Sequence, residues 1–521
     1  MSESRTKKAS RNIIVGVLSK LILMIFAFTT KTLFVRLLGV EYNGVNGLYS
    51  NILAVLALSE LGVGNVLNYS LYSALRENDT ERVKSLVAFF RKIYYGIAIA
   101  VTVIGLALIP FLRFIINSDF PYDELVTYYI LYLANSVVSY FVVYKTTVIV
   151  ADQNNYISSI CEIITTIVMY IAQIVYLIVF RDFLGYLIIQ VSCTILKNVV
   201  LNIITNHKYP YLKGIKSTSL PLENNEKKKI IDNIKSTFLY KIAAVVLNNT
   251  DNILISIIVG TVYVGYYSNY YMIVSYISTF VSIFITGITA GLGNLNSENN
   301  NESSYRMFSV LCLIFSFIGT IEVCCLINCF QQFIPIWIGK ENVMDFNWVI
   351  VIALNLFLNT LMNPIWMFRE TMGLFKQVRF LMLITAGLNI LFSVLLGNFF
   401  GVPGIIAATF LSKLVSQYWY EPTILFKKFK KPVHGFYLNQ LKQLFVMIIG
   451  VTISFSICQI FGDNLFWIII RGVVSAIIGA LCVYAFNFRS ESMNQLLNVY
   501  ILPTVSKHLH RIIRRKKHDG I

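Results

Sequence analysis

Charge is scarce in this chain. Asp, Glu, Lys and Arg make up 13% of the 521 residues, apolar residues make up 56%, and the mean hydropathy is +0.68. Soluble domains carry roughly 25% charged residues, so water is excluded as the solvent of most of this surface. No P-loop and no HExxH occurs, which removes the sequence basis for nucleotide hydrolysis or zinc-dependent hydrolysis. No hydrophilic stretch is long enough to host a folded sugar site, so the chain is expected not to be an enzyme. The five histidines, His207, His434, His508, His510 and His518, all fall outside the apolar runs. A membrane-embedded histidine relay or metal site is therefore not expected. The eight cysteines lie inside apolar runs without CxxC spacing and read as small apolar filler.

What the chain has is long apolar runs. A helix needs about 20 such residues to cross the hydrocarbon core, and fourteen runs qualify, near 12–38, 45–75, 88–109, 125–150, 156–180, 183–204, 236–260, 262–292, 307–333, 347–368, 380–398, 402–424, 443–461 and 465–486. A β-barrel would instead show alternation over segments of about ten residues. The first run is too long for a signal peptide and is expected to stay in the protein.

Basic residues resist translocation, so they report orientation. The predicted outer connections contain only Arg113, Arg181 and Lys340, while most of the 43 Lys and Arg lie in the alternate connections and both terminal segments. Both ends are thus expected in the cytoplasm. The net charge of +17 is spread over every inner connection, which argues for topology and against a nucleic-acid partner. The tail Arg511–Lys517 could in addition meet anionic membrane lipids.

The chain carries signs of an internal duplication. An offset of 221 residues pairs Asn12-Ile13 with Asn233-Ile234, Lys20 with Lys241, and the G-x-x-Y-x-G turn at Gly39, Tyr42 and Gly44 with Gly260, Tyr263 and Gly265. Ile109-Pro110 and Ile334-Pro335 also fall at corresponding places. Six spans per half is an even number, so both halves would share one orientation and be related by an axis along the membrane normal, an arrangement suited to alternating access. The expected organisation is an all-α polytopic membrane protein of about fourteen helices, as two pseudo-symmetric six-helix lobes plus two C-terminal helices. Its segments are a first lobe at 1–205, a Lys-, Asn- and Pro-containing linker at 206–235, a second lobe at 236–426, two additional helices within 427–488 and a basic tail at 489–521.

A charge near the bilayer centre costs about 2.5–3.5 kcal/mol on insertion scales and needs a cavity, a partner or a route to the interface. Lys20, Lys31, Arg36, Lys241, Lys413 and Arg471 are the cations inside runs. Arg36 and Arg471 lie close to predicted outer ends, where a long side chain can snorkel to the interface. Lys20 and Lys31 are eleven residues apart, about 16 Å along one helix face, and Lys241 is the duplicate of Lys20. These three and Lys413 are expected to line a cationic lumen, which calls for an anionic substrate and suits phosphate. Among the acids, Asp251 and Glu60 are the candidates for coupling to an H+ or Na+ gradient, with Glu162 and Glu322 less clearly placed. Pairing with a neighbouring lysine or polar group explains an intramembrane acid equally well. No other cofactor and no metal is expected.

Four segments carry a family likeness: LSELGVGNVLNYSLYSAL at Leu58–Leu75, ADQNNY at Ala151–Tyr156, NHKYPYL at Asn206–Leu212, and NNTDNILISIIVG with GYYSNYYM at Asn248–Gly260 and Gly265–Met272. With them the chain resembles the Wzx-type polysaccharide flippases, in the polysaccharide transport branch of the multidrug, oligosaccharidyl-lipid and polysaccharide exporter superfamily, over about residues 10–425. The resemblance implies a flippase of the bacterial cytoplasmic membrane. Its substrate would be an oligosaccharide repeat unit on undecaprenyl diphosphate, moved from the inner to the outer leaflet for capsule, O-antigen or related exopolysaccharide assembly. The pathway's polymerase and glycosyltransferases would be its partners. On that reading Lys20, Lys31, Lys241 and Lys413 meet the diphosphate. The alternatives are a lipid II flippase, which needs the same diphosphate recognition, and a cation-coupled multidrug exporter, which would want an acidic lumen. A non-transporting polymerase or scaffold is a further one.

Overall fold

The computed structural model describes residues 5–57, 63–214, 222–297 and 300–501, which are helical throughout, with short turns and no strand. By internal contacts the chain forms two compact units. The first is residues 1–272 with 382–405, and the second is 273–381 with 406–521.

The first unit contains α1 (Arg5–Leu38), α2 (Val40–Leu56), α3 (Val63–Arg76), α4 (Thr80–Ala107), α5 (Leu112–Ile115), α6 (Tyr122–Ala151), α7 (Asn155–Phe180), α8 (Phe183–Lys208), α9 (Asn224–Ile258), the start of α10 (Thr261–Ser297) and the middle of α13 (Phe375–Val415). Here α1 packs on α7, and α6 lies against α4 and α8. Near one end of these helices, Phe183 is ringed edge-on by Phe34, Tyr42 and Tyr128 with centroids 4.8–5.5 Å apart, a preferred aromatic geometry.

The second unit contains the rest of α10, α11 (Asn301–Ile338), α12 (Phe346–Thr371), the ends of α13, α14 (Gln417–Phe429), α15 (His434–Cys458), α16 (Leu465–Asn487) and the short α17 (Glu491–Gln495). Its centre is α11, which packs against α12, α15 and α16. Lipid is as apolar as a leucine, so helices in a membrane associate through close packing and hydrogen bonds instead of hydrophobic burial. The residues used fit that rule. Gly450, Ser454 and Cys458 recur every four residues along the buried face of α15, and Ser475 and Gly479 do so on α16. Asn328 of α11 donates through Nδ2 to Ser454 Oγ and Ser475 Oγ at 2.9 and 3.0 Å. The two helices that follow the second predicted lobe are thereby tied to α11.

Eleven helices among the described residues are long and apolar enough to span a membrane, against fourteen predicted runs, and three differences account for the gap. The run at 45–75 is described as α2 and α3 on either side of residues 58–62, which lie outside the described residues, and neither described piece is long enough for a span. In α9 the apolar part that lies within the described residues is Ile242–Ile258, too short to count as a span, since the side chains of 236, 237 and 239–241 lie outside them. The runs 380–398 and 402–424 merge into one apolar stretch, Phe380–Phe429. Within it the chain folds back at Gly401, whose φ of 64° is in the left-handed region that favours glycine. Ideal Cβ atoms on Gly404 and Gly397 would sit 2.1 Å from the Leu396 carbonyl oxygen and 2.8 Å from Ile405 Cγ1. Residues eight apart can approach so closely only in a hairpin, since a straight helix would separate them by about 12 Å.

Candidate functional site

The two G-x-x-Y-x-G turns meet in the first unit. Gly39, at the start of α2, and Gly260, ahead of α10, both have positive φ, 94° and 137°, so each turn uses glycine's freedom to begin a new helix. One turn later Gly44 and Gly265 touch reciprocally. A Cβ on Gly44 would lie 2.1 Å from the carbonyl oxygen of Thr261, and a Cβ on Gly265 2.0 Å from that of Val40. The 221-residue offset maps Val40 onto Thr261 and Gly44 onto Gly265, so each half presents the same atoms to the other. Such self-complementary contact is the mark of a local twofold relation. Gly47 continues it against Ser268.

A polar chain crosses this contact. Lys31 Nζ of α1 donates to Asn43 Oδ1 of α2. Asn43 Nδ2 donates in turn to the Gly265 carbonyl at 2.7 Å and to Asn269 Oδ1 of α10 at 2.9 Å. Both asparagines are fully buried, and Asn269 Nδ2 has no hydrogen-bond partner among the described residues. Lys31 forms no salt bridge among the described residues, so its charge rests on a neutral amide.

The remaining predicted residues are placed as follows. Lys20 is exposed on α1. Lys241 lies in α9, but its side chain lies outside the described residues, and so does Glu60. Lys413, in the second unit, is half-buried and donates to Asn359 Oδ1 at 3.0 Å, while Asn359 donates to Asn355 Oδ1 at 3.1 Å. Asp251 is half-buried on α9 within electrostatic reach of Tyr267 and Tyr271 of α10.

Arg471 lies on α16. It is buried and bonds the Phe461 carbonyl and Asp463 Oδ1, the latter at 3.1 Å, so an acceptor and an acid at the end of its own hairpin satisfy it.

Two motif segments also come together. Tyr209 of NHKYPYL donates its hydroxyl to Asp152 of ADQNNY at 2.8 Å, and Asn154 Nδ2 donates to the same carboxylate at 2.6 Å. Burial pushes the Tyr209 hydroxyl well above the ordinary tyrosine range, so it stays a neutral donor. Nearby, Lys145 donates to Asn202 and Asn206 at 3.0 and 3.1 Å. These motifs tie the α6–α7 turn to the end of α8.

Sequence reasoning did not single out Asn43 and Asn269, the partners that hold Lys31. It left unplaced Glu322, which is buried in α11 and accepts from Thr360 Oγ1 at 2.8 Å. It also did not find the pair of half-buried Arg369 with buried Glu421, in which Nη1 lies 2.8 and 2.9 Å from the two carboxylate oxygens. The available signal was weak, since Glu421 falls inside the run 402–424 but Arg369 lies one residue beyond the run 347–368.

This fold is shared with membrane transporters. The lipid II flippase MurJ in an inward closed conformation superposes with a TM-score of 0.66 at 13% identity, over 91% of this chain and 99% of that one. An inward-facing multidrug resistance MATE transporter of the MOP superfamily gives 0.64 at 13% identity, over 80% and 99%. A MOP superfamily transporter from Pyrococcus furiosus gives 0.52 at 13% identity, over 82% and 97%. No curated protein matches the chain in sequence. The signature of the polysaccharide biosynthesis protein family matches residues 9–289, more than half of the chain, and the chain belongs to that family.

Proposed function

We propose that this multi-pass membrane protein is a flippase that carries undecaprenyl-diphosphate-linked oligosaccharide units from the inner to the outer leaflet of the bacterial cytoplasmic membrane, with both termini inside. The observation that carries the reading is the Lys31 ammonium inside a span, held by a neutral amide at the contact of the duplicated turns. A half-buried cation inside a span with no acid partner among the described residues is costly, and an anion entering from the membrane would relieve it. The family match supports a role in polysaccharide assembly, and the shared fold supports transport.

In this mechanism the matched ends of α2 and α10 part and re-form during the cycle. The substrate diphosphate takes Lys31 from Asn43, with Lys20, Lys241 and Lys413 as further contacts. Asp251 and Glu60 are the candidates for H+ or Na+ coupling. Polymerase and glycosyltransferases of the same pathway would be the partners.

Deleting the protein should leave lipid-linked units on the inner leaflet and abolish the polymer, with the cells viable. Normal polymer in a clean deletion would overturn the reading, and loss of cell-wall synthesis would point to lipid II. Lys20→Ala with Lys241→Ala should impair flipping while insertion stays normal. Full activity of that double variant would remove both from the binding site.

A further inference from the structure

The second unit contains a cavity of about 200 Å³ where the start of α15 meets the end of α16. Polar groups make up most of its wall, among them Lys442, Asn439, Gln443, Asn487, Ser490 and Ser492, and no Asp or Glu among the described residues lines it. Lys442 Nζ donates to Asn487 Oδ1 at 2.9 Å. Gln443 Nε2 donates to the same oxygen at 3.1 Å and to Asn439 Oδ1 at 3.3 Å. An ammonium has three donors, so this anchor fixes Lys442 at the cavity and leaves two N–H groups to spend. The hydroxyls of Ser490 and Ser492 add donors to the same wall.

The lipid side of the cavity is equally specific. Residues three and four apart share a helix face, which puts Lys442 on the same stripe of α15 as Leu438 and Phe445, with Leu441 beside them. Leu438, Leu441 and Phe445 are 64%, 63% and 57% exposed. Lys442 therefore stands where a polar recess meets an acyl-chain surface. The adjoining segments are basic as well, with Lys427, Lys428, Lys430 and Lys431 before α15 and Arg489 after α16. Lys431 lies over the ring of Tyr305, another wall residue, at 5.4 Å, and pairs with Glu302 at 3.3 Å outside the cavity wall.

We propose that this cavity is a binding site for a phosphate ester. A cation with spare donors, serine hydroxyls, no competing acid and an apolar stripe beside the opening match the phosphate of an anionic phospholipid, with its chains on Leu438, Leu441 and Phe445. The site is formed within the second unit and is separate from Lys31, so it holds whether or not the transported substrate is the one proposed above.

The test is native mass spectrometry of the purified full-length chain, delipidated and titrated with phosphatidylglycerol, phosphatidylcholine or inorganic phosphate. Phosphatidylglycerol should be retained on the wild type. Lys442→Gln should lose about tenfold in affinity, the effect of one charge-assisted hydrogen bond, and Lys442→Arg should keep most of it. Ser492→Glu keeps the lysine but puts a carboxylate in the wall, and it should also lose the lipid. Lys428→Gln, outside the cavity, should bind normally. Displacement of the lipid by millimolar inorganic phosphate, with direct retention of that ion, would assign the same site to a soluble phosphate ester. Equal retention of phosphatidylglycerol by wild type, Lys442→Gln and Ser492→Glu, or equal retention of phosphatidylcholine and phosphatidylglycerol by the wild type, would overturn the proposal.

Discussion

The contact between the duplicated turns can be clamped covalently. An ideal Cβ on Gly47 lies 3.8 Å from Ser268 Cβ, in the middle of the 3.5–4.5 Å range that a disulfide spans. A Gly47→Cys, Ser268→Cys chain should cross-link without moving either backbone, and the bond would then hold α2 and α10 together, because bridged Cα atoms cannot separate beyond about 7 Å. The pair is best placed in a background whose eight native cysteines are changed to serine or alanine, with a protease site inserted at 215–221. Cleaved halves that stay joined until reduced report the bond. Flipping is expected to fall at least tenfold on oxidation and to recover with reductant, while each single cysteine variant stays active. Complete cross-linking with undiminished flipping would refute the idea that this contact opens during transport.

Other consequences follow from the same geometry. Gly44→Ala or Gly265→Ala drives a methyl to about 2 Å from a carbonyl oxygen; each should cost roughly 1–3 kcal/mol or more by overpacking, seen as a lower melting temperature in detergent, whereas Gly96→Ala meets nothing within 4 Å and should be neutral. Arg369→Ala leaves the buried Glu421 carboxylate without its cation and should destabilise the second unit by about 3–5 kcal/mol, while Arg369→Met with Glu421→Leu should recover most of the loss; equal melting of all three chains would show the pair to be inert. Tyr209→Phe removes the hydrogen bond to Asp152 and should cost about 1.5–3 kcal/mol, the worth of a bond to a charged group, read by thermal unfolding with unchanged insertion.

Much of the architecture was legible because lipid imposes a simple rule: a spanning helix must be apolar for about 20 residues. The departures occur where that rule is silent. It cannot see that Gly401 turns one apolar stretch into a hairpin, or that the polar half of α9 continues the helix beyond its apolar part. The duplication was visible in G-x-x-Y-x-G, and the structure adds what that spacing is for, since the second glycine of each turn lets two backbones touch. Lys31 was legible as a costly charge. Its partner was not, because Asn43 follows twelve residues later, beyond the helix break at Gly39, and no periodicity links them. For Arg471 the nearness to a span end was legible, and the coordinates add its partners, Asp463 and a carbonyl of the adjoining turn. The ADQ and NHKYPYL segments stood out as family marks, and only coordinates show that Asp152 and Tyr209 are bonded to each other.

The central claim is that an anionic lipid-linked glycan moves by way of Lys31. The direct measurement is flipping of an undecaprenyl-diphosphate-linked oligosaccharide by the purified chain in proteoliposomes, comparing wild type, Lys31→Ala and Lys31→Arg at equal insertion. Loss of one charge-assisted phosphate contact predicts a drop of about tenfold or more for Lys31→Ala, with substantial activity in Lys31→Arg. Wild-type flipping by Lys31→Ala, or no flipping of this substrate by the wild-type chain, would contradict the account.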